Sequence, residues 1–268
     1  MSKKIDGVDF WSTDDFCLFH INYLSDELKN IIRKELSVIC AGPQNVKFKA
    51  YSYPNVLKEF LKRYEDKKTD QQKGLIGELL LHILLCSCLN QRFKACSPFF
   101  NMEERSAKKG FDIILHESKT MKIWFAESKA GEGDKKSNTL MKLLINRAKN
   151  DLLKRVTEDS SMLWINAINS ARNAMKNGKA KSAILKILDD LSDDFSKGSK
   201  TLKDLNVVLS GCLFKDLTDK VEEDVPAEKV SKLKSEGCFT EQFIIAIQKN
   251  TYNAVYEFLK AESLKTNE

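Results

Sequence analysis

The spacing of apolar and polar positions marks out strands and helices in turn. Residues 16–24 (FCLFHINYL) form an apolar run that predicts a strand. Ser25 stands where a helix N-cap belongs. DELKNIIRKEL behind it places apolar residues at 28, 31, 32 and 36, a helical spacing. Pro43 punctuates the next stretch, VKFKAY alternates like a short strand, and Pro54 sits where a helix over NVLKEFLKRYE begins. Residues 69–90 read as a long helix, weakly apolar at first and then apolar on nearly all sides from Leu79, which fits burial in a domain. Short strand-like pieces follow: RFKAC, GFDIILHE and MKIWFAESKA. Helices are predicted from Ser137 or Asn138 through Arg155, over 160–177 and over 181–191, with a strand over 205–214. Pro226 opens another short helix, and FIIAIQ (243–248) suits a strand, or a helix continuing into TYNAVYEFLKA. No repeat or low-complexity linker interrupts this order. One α/β domain with an N-terminal elaboration and C-terminal helices is the simplest architecture.

Composition narrows the classes. Of 268 residues 42% are hydrophobic and 31% charged, enough apolar material for a sizeable core, so wholesale disorder is excluded. The longest apolar run, 79–89, is interrupted by His82 and Ser87 and is too short for a membrane span. MSKKIDGVDF has no apolar segment behind its lysines, and the seven cysteines are odd in number and irregular in spacing. Reduced thiols in a cytoplasmic protein are therefore expected. Cys86 and Cys88 form a lone C-x-C with no second pair at zinc-ligand spacing. No G-x-S-x-G elbow, G-x-G-x-x-G or Walker-type loop occurs, so no nucleoside triphosphate is expected on this chain. The net charge of +6 is mild, but its distribution is uneven. Residues 135–181 carry 11 Lys/Arg against 3 Asp/Glu, whereas 182–228 carry 6 against 11. The basic stretch could face a phosphate backbone or be an ordinary solvated helix face.

The candidate chemistry lies in the hairpin GFDIILHESKTMKIWFAESKA. Its strands are apolar on both faces, as strands buried on both sides are, yet Asp112, Glu127 and Lys129 are written into them. A turn over 118–121 pairs residues whose numbers sum to 239, which sets Asp112 opposite Glu127 with Cβ atoms about 4.5–5.5 Å apart. Two carboxylates at that distance repel, and a divalent cation between them removes the repulsion. Mg²⁺ suits one or two carboxylates with waters and a substrate phosphate. Lys129 projects from the same face as Glu127, about 6–7 Å along the strand, where its ammonium could stabilise developing negative charge or orient an attacking hydroxide. Glu78 sits in KGLIGELLLHILL, where Gly74 and Gly77 leave a slim helix face for close approach to a sheet.

The order helix with Glu78, strand, strand with Asp112, strand with Glu127-Ser128-Lys129, helix, strand resembles the restriction-endonuclease-like PD-(D/E)xK superfamily over roughly residues 69–215. More narrowly, KGLIGELLLHILL, KKGFDIIL, WFAESKAG and the opening DDFCLFHINYL resemble the HamA family, the nuclease subunit of the Hachiman anti-phage system. The proline frequent before the first strand Asp in the superfamily is replaced by Phe111. The resemblance implies an α/β fold with a restriction-endonuclease-like α-β-β-β-α-β core, a mixed sheet flanked by helices, with N-terminal and C-terminal helical and strand additions. The corresponding boundaries are 1–68 for partner docking or core completion, 69–215 for the nuclease core, and 216–268 packed on it. It further implies a DNA nuclease holding Mg²⁺ or Mn²⁺ on Glu78, Asp112 and Glu127, with Lys129 as the catalytic amine and a helicase subunit of the HamB kind as partner. Lys135 and Lys136 in the loop, with Lys142 and Arg147 on the following helix, are the expected DNA contacts; Lys149 and Arg155 extend the track. The alternatives are a non-catalytic, helicase-associated subunit that positions DNA, and an RNA-cleaving toxin. His82, one turn from Glu78, is expected to be a core histidine, and Trp124 and Trp164 core residues.

Overall fold

The computed structural model describes residues 4–100, 110–158 and 160–265. Chain order is β1 (Val8–Ser12), β2 (Phe16–Ile21), α1 (Asp26–Ala41), α2 (Tyr53–Glu65), α3 (Thr69–Ser87), β3 (Phe93–Ala95), β4 (Ile113–Glu117) and β5 (Ile123–Gly131). It continues with α4 (Ser137–Glu158), α5 (Ser160–Ala174), α6 (Lys179–Ser196), β6 (Asn206–Phe214), α7 (Asp224–Glu236), β7 (Glu241–Lys249) and α8 (Asn253–Lys265). The strands make one seven-stranded sheet in the order β1-β2-β7-β6-β5-β4-β3. β2, β7, β6 and β5 run parallel, while β1 pairs antiparallel at one side and β4 and β3 at the other.

The parallel strands are apolar on both faces because helices cover both. Successive side chains alternate between two cores. Trp124 and Ala126 of β5 join a core built with α1, α2, α3 and α8. Ile123 and Phe125 join the opposite core, built with α4, α5, α6 and α7. Two glycines set how closely the helices seat. A Cβ on Gly77 of α3 would stand 2.6 Å from Ala130 Cβ, and one on Gly211 of β6 would stand 2.6 Å from Met141 Sδ of α4. Gly74, by contrast, has nothing within 4 Å, so it does not contribute to the slim face expected of it.

Most predicted elements form, with Ser25 Oγ accepting the Leu28 N–H at 3.2 Å as the N-cap of α1. VKFKAY does not become a strand. Its end is a 3₁₀ turn (Lys49–Tyr51), and Val46 and Phe48 are exposed, because no neighbouring strand is there to pair with the alternating residues. FIIAIQ lies in a strand and the segment after it forms α8. β1 is an edge strand that the hydrophobic pattern did not mark. His82 and both Trp124 and Trp164 are buried, His82 edge-on to Phe99. All seven cysteines are free thiols. Among the described residues no helix is long and apolar enough to cross a membrane. Lys108 and Lys109 of KKGFDIIL lie outside the described residues.

Candidate active site

The β4–β5 ladder has the register expected from the turn, Ile113 opposite Ala126 through His116 opposite Ile123. Asp112 stands one residue before β4, and its Oδ2 accepts the Ser128 N–H at 2.8 Å. Glu127 shares the α4-facing side of β5 with Phe125 and is fully buried. Its Oε1 accepts from Lys129 Nζ at 2.7 Å and from Arg155 Nη2 at 2.8 Å. Its Oε2 has no hydrogen-bond partner among the described residues.

Helix α4 supplies two further charges at i, i+4 spacing, Asp151 and Arg155. Asp151 Oδ2 lies 3.0 Å from Lys129 Nζ. Arg155 Nη1 lies 3.4 Å from Asp112 Oδ1 and also donates to the Gly110 carbonyl. One guanidinium thus spans both strand carboxylates. Arg155 was expected only as an extension of a DNA track, and Asp151 not at all. The signal available was their shared helix face after the E-x-K strand.

The electrostatics follow from burial. Desolvation, then the Asp112 charge, pushes the Glu127 carboxyl up to about 8, against the pull of Lys129 and Arg155. Burial alone would lower the Lys129 ammonium, but Glu127 and Asp112 outweigh it and hold the pKa above its ordinary value. The same balance raises Arg155. Both cations therefore keep their protons, so Lys129 is suited to charge stabilisation rather than to proton abstraction.

Glu78 does not join this group. Gly77 faces β5 and β6 from α3, on the side of the sheet away from α4. The next residue is turned about 100° around the helix, and Glu78 lies close enough to Cys40 of α1 to raise its thiol, behind the larger effect of burial and against the opposing charge of Arg63 of α2. The sheet stands between Glu78 and the Asp112–Glu127 pair. Lys135 and Lys136 are exposed in the loop before α4, and Arg147 on its outer ridge. Lys142 turns toward α7 and pairs with Glu228.

Among the described residues no three His, Cys, Asp or Glu side chains form a metal-binding group. Two carboxylates do converge, and the unpartnered, buried Oε2 of Glu127 is an acceptor in want of a cation. A Mg²⁺ that keeps several waters fits such a pair, provided that the Arg155 guanidinium withdraws.

Comparison with known proteins bears on the family. The search of curated proteins returned no match. The family model HamA matches residues 2–262 of 268, and membership of that family supports a role in Hachiman anti-phage defence. Nearly the whole length is matched, and the chain belongs to the HamA family.

Proposed function

We propose that the chain is a metal-dependent DNA nuclease of the PD-(D/E)xK type, working in the cytoplasm with a helicase partner in anti-phage defence. The observation that carries this reading is Asp112, at the mouth of β4, brought beside Glu127 and Lys129 of β5, with Glu127 buried and one oxygen unpartnered. Asp112 and Glu127 would hold Mg²⁺ or Mn²⁺, which when bound supplies Lewis acidity and an activated water. Lys129, held charged, stabilises the negative charge that grows on the phosphate oxygens. The Ser128 N–H fixes the Asp112 carboxylate in place. Asp151 holds the Lys129 ammonium from the helix side. Arg155 must leave the carboxylates for the cation to enter, and it is then free to meet a phosphate. Glu78, across the sheet, is left out of this ligand set.

The test is plasmid cleavage by the purified chain with its partner and Mg²⁺. Lys129→Ala and Glu127→Ala should each reduce cutting by at least about 10²-fold. Full cutting by either folded variant refutes the assignment. The second reading, a non-catalytic subunit that positions DNA, draws on the ion pairs that Lys129 and Arg155 already make with Glu127 Oε1. On that reading both variants retain partner binding and phage protection.

A further inference from the structure

On the other flank of α4 a second cluster faces α7. Lys142, Asn146 and Lys149 follow one another at helical spacing, and Lys229 and Lys232 reach toward them from α7. Lys229 is only 8% exposed, and its Nζ donates to Asn146 Oδ1 at 2.8 Å. Among the described residues no carboxylate pairs with it. The neighbouring amines are served: Lys142 by Glu228, Lys149 by Glu236 at 2.9 Å, and Lys232 by the same Glu236 at 3.8 Å. Four ammonium groups thus share two carboxylates, and the least solvated of the four has none.

Burial first, and then Lys232, Lys142 and Lys149, push the Lys229 ammonium toward losing its proton, against a smaller opposing pull from Glu236. An arrangement that holds uncompensated like charge out of water is costly unless an anion completes it. A cavity of about 10 Å³ opens here between Asn146, Lys149, Lys229, Lys232 and Glu236. It has room for one oxygen atom; the rest of a phosphate would remain at the mouth, within reach of the lysines.

We propose that Lys229, with Lys149 and Lys232, forms a phosphate-oxygen site that holds a backbone phosphate of the nucleic acid across α4 from the Asp112–Glu127 pair. The site deepens the nuclease reading and rests on it for the source of the phosphate. Strand and site lie on the same side of the sheet, so one duplex can lie over α4 and touch both, with the exposed Arg147 between the two flanks. Lys229 falls just beyond the acidic stretch 182–228, so charge counting along the chain did not separate it from its surroundings.

Two probes separate the site from its source. Inorganic phosphate at 10 mM, against chloride at equal ionic strength, should raise the melting temperature of the full chain by about 2–4 °C. Lys229→Gln should abolish that rise and, without added anion, melt no lower than the parent. A lysine serving only to pin Asn146 predicts the reverse: a lower melting temperature and an unchanged phosphate effect, which would overturn the site. Duplex binding is then followed by anisotropy in EDTA over a salt series. Lys229→Gln should flatten the slope of log K against log salt by about 1, and Lys229→Gln/Lys232→Gln by about 2. A lost phosphate effect with an unchanged duplex slope overturns the nucleic-acid source and leaves a site for free phosphate. Because EDTA removes cleavage from the measurement, failure here is distinct from failure of Lys129→Ala to stop cutting.

Discussion

Replacing Glu127 by Gln tests the electrostatics of the site without any substrate. In the folded chain this carboxyl is raised from 4.5 to about 8 by burial and by Asp112. That interval corresponds to about 5 kcal/mol of penalty on the charged form. The folded value is the higher one, so the group's contribution is fully present below pH 4.5 and is lost as pH rises through about 8. Glutamine fills the same space, still accepts from Lys129 and Arg155, and does not titrate. The stability of the variant should therefore gain on that of the parent, on the order of 1 kcal/mol for each pH step between 5 and 8. Urea unfolding in EDTA at pH 5, 6, 7 and 8 measures the gap. At pH 8 excess Mg²⁺ should narrow it by stabilising the parent alone. A gap that stays constant from pH 5 to 8 would refute the account of a buried, half-partnered carboxylate.

Arg155→Gln removes the cation already seated between Asp112 and Glu127, so Mn²⁺ titrated calorimetrically should bind about tenfold more tightly; equal or weaker binding shows that the guanidinium is no obstacle. Metal uptake must displace the Glu127 proton, so Mn²⁺ affinity of the parent should climb with pH up to about 8 and then level. Gly77→Ala sets a Cβ 2.6 Å from Ala130 Cβ and should cost about 1–3 kcal/mol in urea unfolding, whereas Gly74→Ala, with nothing within 4 Å, should be neutral or better. Glu262, held down to about 2 chiefly by its hydrogen bonds from Arg33, ties α8 to α1. Glu262→Gln should cost about 1–2 kcal/mol at pH 7, and the cost should shrink as pH falls from 4.5 toward 2.

The register of the hairpin was legible in the sequence because a strand has a period of two and a hairpin a single register. Once the turn over 118–121 was placed, Asp112 had to stand opposite Glu127, and Lys129 had to share its face. Helix α3 offered no such certainty. It is apolar almost all round, so the pattern does not say which side meets the sheet. Gly77 decides it, by permitting contact with Ala130, and thereby sends Glu78 to the Cys40 side. Arg155 was hidden for another reason. That it reaches Glu127 depends on the tilt of α4 across β6 and β5, which no local spacing encodes. VKFKAY misled because alternation predicts a strand only where another strand's edge is available. β1 was overlooked for the converse reason: an edge pairing supplied from outside makes a strand of a weak pattern.

β7 is the seventh strand in the chain but the third across the sheet, lodged between β2 and β6. Until it docks, the hairpin of β1 and β2 and the half bearing Glu127 have no common ladder, and each shows a bare edge. Those edges are made of Phe16, Leu18 and Ile21 on one part and Val207 to Phe214 on the other, sticky surfaces that invite wrong neighbours. A chain truncated before residue 241 should therefore aggregate rather than persist as a freestanding domain.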